Sequence, residues 1–256
     1  MLPLRIPSVF SASIFLLSVS YLGTSQQSAP TIKYTASLGG GAKCLSEVNA
    51  ARGAAGLKNF AEATNDKKLS APSDDLENDT EWKKVCEHLI PTQKEPVEAT
   101  SGTNPFEKGT YAFKSLTTAE PNCKEIVNYW KAAFKNFTGL PPSESQAGDL
   151  YKSYNNVSFV ALYNTSSNAT ADCQVVTCTK TTTPGDSSIR DSPSGSQEYG
   201  YAMICKTMPA AFADKNSAPF TQDQWDRIIS SLTGSASAAI PGFGAFFIVV
   251  LSMAVL

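Results

Sequence analysis

Val157-Ser158-Phe159-Val160-Ala161-Leu162-Tyr163-Asn164 is the stretch on which the fold of this chain turns. Phe159, Val160, Ala161 and Leu162 follow one another without the polar alternation of a half-exposed strand. An unbroken apolar run of this length fits a strand buried on both faces. Such a strand needs cover above and below.

The flanking sequence supplies that cover as amphipathic helices. Upstream, Asn122 and Glu125 stand three apart at the head of a stripe of Cys123, Ile126, Val127, Trp130, Phe134 and Phe137, which predicts a capped helix stopped by Gly139 and Pro141-Pro142. Trp82, Val85, Cys86 and Leu89 make a similar stripe, capped by Asp79 or Thr80 and ended by Pro91. Leu45, Val48, Ala51, Ala55 and Phe60 predict a first helix, weakened by Gly53 and Gly56. A last helix starts at Thr221 with Gln224 as its capping-box partner and buries Trp225, Ile228, Ile229 and Leu232. Further strands are predicted over Gly109 to Leu116, Asp172 to Thr179 and Tyr199 to Thr207. The resulting order is helix, helix, strand, helix, three strands, helix. That order predicts an α/β fold, a three-layer α/β/α sandwich with a mainly antiparallel central sheet flanked by helices.

Both ends of the chain read as addresses. Arg5 precedes the apolar run Ile6 to Leu22, and Gly23-Thr24-Ser25 offers a small-x-small cleavage pattern, so residues 1–25 are expected to be a signal peptide. Residues 26–43, with Gly39-Gly40-Gly41, are expected to form a flexible leader, and residues 44–233 a single ectodomain. Ile240 to Leu256 carry no charge and follow small residues, so residues 234–256 are expected to be a GPI-attachment signal that is removed. Gly234, Ser235, Ala236 and Ser237 are the candidate attachment residues; a single C-terminal span is the competing reading.

A secretory route changes how the 6 cysteines are read. Cys44, Cys86, Cys123, Cys173, Cys178 and Cys205 are expected to form three disulfides, because an even set in an oxidising compartment pairs. Three fall in the helical first half and three in the strand-rich second half, so at least one bridge joins the halves. The sequons at Asn78, Asn136, Asn156, Asn164 and Asn168 are candidates for N-glycosylation.

Several strings then form a set: Cys44-Leu45-Ser46-Glu47-Val48-Asn49-Ala50-Ala51-Arg52, Gly109-Thr110-Tyr111-Ala112-Phe113, Val157 to Asn164, Asp172-Cys173-Gln174-Val175-Val176-Thr177-Cys178, Ile204-Cys205-Lys206-Thr207, Pro219-Phe220-Thr221 with Trp225-Asp226, and Gly234 to Ala239. In this order over nearly the whole chain, the set resembles the GPI-anchored surface antigens of the coccidian parasite Eimeria. That family is similar in fold to the CAP superfamily of cysteine-rich secretory proteins, antigen 5 and pathogenesis-related proteins. The resemblance implies a CAP-like sandwich, display on the invasive stages, antigenicity and attachment to host cells.

Chemistry narrows the function further. The wider superfamily often carries a cleft with two histidines, but this chain has one, His88, expected as an ordinary solvated or packed residue on the second helix. There is no G-x-S-x-G elbow and no phosphate-binding P-loop, so no catalytic residue, cofactor or metal is expected, and the protein is read as not an enzyme. With 21 basic against 23 acidic residues the net charge is −2, which argues against a nucleic-acid partner, and none is expected. Two surfaces are candidates for contact with a host-cell receptor or glycan. One is a basic surface of Lys124, Lys131 and Lys135 with Lys83 and Lys84, for which a solvated helix face is the plainer account. The other is the polar segment Lys180 to Gln197, read as an exposed loop. The alternative function is a module holding a lipid or sterol in a cleft between sheet and helices.

Overall fold

A computed structural model describes residues 29–92, 109–185 and 195–234. In chain order the elements are β1 (Thr31–Leu38), α1 (Leu45–Ala54), β2 (Ala61–Glu62), α2 (Thr80–Leu89), β3 (Thr110–Leu116), α3 (Cys123–Ala132), α4 (Tyr154–Leu162), β4 (Thr170–Thr183), β5 (Ser196–Met208) and α5 (Gln222–Thr233). Short 3-10 turns at Asn65–Lys67, Ala133–Asn136, Glu144–Gln146 and Leu150–Lys152 join them. The main sheet runs β1-β4-β5-β3 with every neighbouring pair antiparallel, while the short β2 pairs parallel with the start of β4.

The pleat separates two cores. Ala171, Cys173 and Val175 of β4, with Met203 and Cys205 of β5, face a cluster that includes α1, α3, α4 and α5. Val176, Cys178, Ala202 and Ile204 point the other way, onto α2 and the segment holding Leu69 and Leu76. A strand sends successive side chains to opposite faces, so the two clusters lie on opposite sides of one sheet. The fold is a mixed assembly of helices and an antiparallel sheet, tied by three disulfides: Cys44 to Cys123, Cys86 to Cys178, and Cys173 to Cys205. Cys86 to Cys178 is the bridge between the halves. Cys173 and Cys205 stand directly opposite in the β4/β5 register.

The helix caps follow the sequence signals. Asp79 accepts from Trp82 N, Asn122 accepts from Glu125 N, and Thr221 with Gln224 closes a full capping box. Each satisfies backbone donors that a helix start leaves open.

Three expectations are corrected. The run Phe159 to Leu162 is not a strand but the end of α4, all but fully buried between β3, α3 and the aromatic side chains of Phe137, Phe220 and Trp225. A helix buried all round carries the same unbroken apolar run as a doubly buried strand, so periodicity alone does not separate them. Its last carbonyl, Leu162 O, accepts from the buried Arg52 guanidinium of α1 at 2.9 Å. A cation at a helix C-terminus satisfies both the open carbonyl and the dipole. The stretch 26–43 read as leader holds β1, because Ile32, Tyr34, Ala36 and Leu38 alternate with polar residues and pack towards α2. The segment Lys180 to Gln197 is strand at both ends: β4 runs to Thr183, β5 starts at Ser196, and buried Lys180 pairs with Glu198 at 3.0 Å. Its central residues 186–194 lie outside the described ones, as do the expected signal peptide and Ser235, Ala236 and Ser237.

Candidate functional site

His88 tests the catalytic reading first. It sits on α2 with its ring 5.6 Å from Phe113 and 5.8 Å from Tyr154, and those two rings are 5.3 Å apart. This aromatic trio brings α2 and the start of α4 together on β3. Burial lowers the imidazole pKa below its ordinary value, which favours the neutral ring. All six cysteines are in disulfides, and no group of His, Cys, Asp and Glu suited to a metal occurs among the described residues.

The concave feature of interest lies where β3 begins and β5 ends. A cleft of about 750 Å³ is lined by Thr110, Tyr151, Val157, Met208, Pro209 and Phe212, with Glu144, Lys152 and Lys215 at its polar side. Tyr151 meets Phe212 at a tilt of 53° with centroids 4.6 Å apart, and its hydroxyl donates to Pro142 O at 2.8 Å. Burial, then the Glu144 charge, pushes the Tyr151 pKa well above that of an ordinary phenol, so the hydroxyl stays protonated. The charged residues are already paired: Lys152 with Asp149 at 2.6 Å and Lys215 with Glu144 at 3.9 Å. The cleft is therefore a mainly apolar hollow with a neutralised rim. Sequence reasoning missed it because Pro141-Pro142 read only as a helix stop, and Tyr151 and Phe212 carried no periodic signal.

A second polar group escaped notice inside the sheet. Asp172 of β4 is wholly buried and accepts through Oδ2 from Leu69 N and from Gln174 Nε2, each at 2.7 Å. Its other oxygen has no hydrogen-bond partner in the structure. Lys206, opposite Asp172 on β5, donates to Lys68 O at 2.8 Å. Together they fasten the segment 66–69 onto the sheet below α2. The legible signal was charge placed inside strands that otherwise read as core.

The surface candidates fare unequally. Lys83 and Lys84 lie on α2, whereas Lys124, Lys131 and Lys135 lie on or just after α3, across the sheet, and Lys83 pairs with Glu77 at 3.3 Å. They do not share one helix layer. Among the sequons, Asn156 and Asn164 are buried and their amides are occupied: Asn156 Nδ2 donates to Leu150 O at 2.8 Å and Asn164 Nδ2 to Pro209 O at 2.8 Å. A glycan has no room on either, which corrects both as candidates. Asn136 is exposed but gives its amide to Asn156 Oδ1 at 2.7 Å, while Asn78 and Asn168 are exposed. Helix α5 closes at Thr233 with Gly234 as its C-cap, and among the described residues no helix is long and apolar enough to cross a membrane.

Comparison with known proteins adds what geometry alone does not. A sporulated oocyst TA4 antigen of Eimeria tenella is 28% identical over 228 residues, covering 82% of this chain and 85% of that protein. No solved structure matches the chain. The model of the sporozoite surface antigen (SAG) protein domain matches residues 40–247, a span that takes in α1 to α5 and all three disulfides. The chain belongs to this sporozoite surface antigen family.

Proposed function

We propose that the protein is a non-enzymatic surface antigen, held on the outer leaflet by a GPI anchor, that contacts host cells and is read by the host's antibodies. The carrying observation is family membership over a span that includes all three disulfides and every element from α1 to α5. The end of α5 at Thr233 supports the anchoring reading, because the small residues suited to attachment follow at once. An anchor there holds the domain close to the membrane with little stalk. Cover on both faces of the sheet supports the finer architectural reading, a CAP-like α/β/α sandwich.

Phosphatidylinositol-specific phospholipase C applied to intact cells displaying the chain tests the anchor. Release into the medium is expected; retention after confirmed cleavage of a control anchor rules the GPI reading out. Attachment is tested by binding the ectodomain to cultured host cells with and without a shortened connection between Thr183 and Ser196. Binding no greater than that of an unrelated disulfide-tied domain would end the adhesion reading.

The cleft favours a second reading, a lipid- or sterol-binding module. About 300–1,000 Å³ is the usual size for small-ligand sites. The cleft falls within it, although it opens at the end of the sheet between short turns rather than between sheet and helices. Mass spectrometry of lipid extracted from protein purified from its own membrane decides this reading, with a stoichiometric lipid in its favour and a bare protein against it.

A further inference from the structure

The two edges of the sheet are finished differently. At the β3 edge, Phe113 N donates to Ser158 Oγ at 2.9 Å and Phe113 O accepts from Trp130 Nε1 at 2.9 Å, so helices α4 and α3 occupy the outward groups at the middle of the strand. At the β1 edge nothing comparable occurs among the described residues. Gly39 N donates to Val175 O at 2.8 Å, in register with the β1/β4 pairs, so odd-numbered β1 residues turn their backbone groups towards β4. Ile32, Tyr34, Ala36 and Leu38 therefore turn theirs outward, and among the described residues none of these N–H or C=O groups is bonded. Proteins commonly blunt such edges with proline, bulges or charge. β1 has no proline, and its one charge is Lys33.

We propose that β1 pairs antiparallel with β1 of a second copy of this chain, about a two-fold axis through Thr35. The choice of partner rests on the register. With Thr35 opposite Thr35, all four outward residues meet an outward residue of the other copy: Ile32 faces Leu38 and Tyr34 faces Ala36. Four narrow pairs each exchange two hydrogen bonds. The same register puts apolar side chains opposite apolar ones on the α2 side of the sheet, where Ile32, Ala36 and Leu38 are only partly buried. On the other side it sets Lys33 against Ser37, so the one charge of the strand never meets its copy. An isologous contact needs this self-complementarity, and β1 has it. The two sheets become one, in the order β3-β5-β4-β1-β1-β4-β5-β3.

The dyad makes a symmetric cross-link the sharpest test. In this register the two Thr35 residues form a pair without hydrogen bonds, with Cα atoms about 4.5 Å apart, within reach of a disulfide. Two Ser37 residues are about 13 Å apart, four strand positions at the usual rise, and out of reach. Full-length Thr35→Cys expressed on eukaryotic cells is expected to run as a two-chain species on non-reducing gels, and Ser37→Cys as one chain. Equal cross-linking of both variants, or of neither, overturns the proposal; the latter means that another segment, such as residues 1–28, covers the edge or that it stays open. Thr35→Lys, which sets two ammonium groups face to face, supplies a second measurement. In sedimentation the purified protein is expected at the mass of two chains and the variant at one, with unchanged circular dichroism. A wild-type protein at the mass of one chain throughout the micromolar range also sinks the idea.

Discussion

The two faces of the sheet are covered by different means. On one side α1, α3, α4 and α5 enclose a cluster in which Phe137, Phe159, Phe220 and Trp225 meet ring to ring, with Phe159 and Trp130 wholly buried. On the other side a single helix, α2, and the coil before it do the covering. There the cover is fastened by a disulfide from Cys86 to Cys178, by Tyr34 Oη donating to Ile90 O at 2.7 Å, and by Asp172 and Lys206 holding the segment 66–69. The thick cover also carries a bridge, Cys44 to Cys123 between α1 and α3, but it has a large apolar area to bury; the thin cover has less, and leans more on bonds that do not scale with area. The family's matched span takes in the helices of both covers.

If that contrast is right, the largest single-residue loss lies on the thick side. Phe159→Ala removes a side chain in contact with four other aromatic residues, Phe137, Tyr163, Phe220 and Trp225, and is expected to cost about 3–5 kcal/mol, measured by denaturant unfolding. A loss under about 1 kcal/mol means that the cluster collapses around the gap and is looser than described. On the thin side the corresponding change is covalent. Replacing Cys86 and Cys178 together by Ala is expected to cost about 2–5 kcal/mol, because the bridge closes a long stretch of chain. Hydrogen exchange sharpens the comparison: amides of α2 should lose protection well before those of α3 and α4. Uniform loss across all helices would show instead that the two faces unfold as one unit.

The next effect comes from a close approach. A Cβ on Gly200 of β5 would lie 2.7 Å from Ile90 Cγ1 and 2.8 Å from Leu89 Cβ. Gly200→Ala therefore wedges the end of α2 off the sheet, with an expected cost of about 1–3 kcal/mol. A neutral outcome in thermal unfolding would mean that α2 has room to slide, contrary to its place here.

What could be read in advance follows the same physics. Helices α3 and α5 were legible because cap, partner and stripe agree in each: Asn122 with Glu125, and Thr221 with Gln224. The run in α4 was not, since total burial erases the period that tells helix from strand, and the bond from Arg52 to Leu162 O is made between residues far apart in sequence. β1 carried an alternating pattern, but Gly39-Gly40-Gly41 beside it masked a short signal. The cleft depends on turns that meet only after folding, so Tyr151 and Phe212 gave no warning of it. The buried sequons show the opposite case, where a local motif at Asn156 and Asn164 was present and tertiary packing claimed the side chains.

The smallest expected effect concerns the seam between the faces, where His88 from the thin side meets Phe113 and Tyr154. Burial holds its imidazole pKa below the ordinary 6.5, so the folded protein favours the neutral ring and the unfolded chain binds more protons on acidification. Stability linked to His88 is intact above pH 6.5 and is lost as pH falls through that value towards the folded pKa. His88→Phe keeps a ring at the seam and removes the titration. Melting profiles from pH 7.5 to 5 should therefore fall more steeply for the wild-type protein than for the variant. Parallel profiles would mean that the ring is solvated in the fold as it is in the unfolded chain, and the seam would then be an open edge of the thin cover rather than a join.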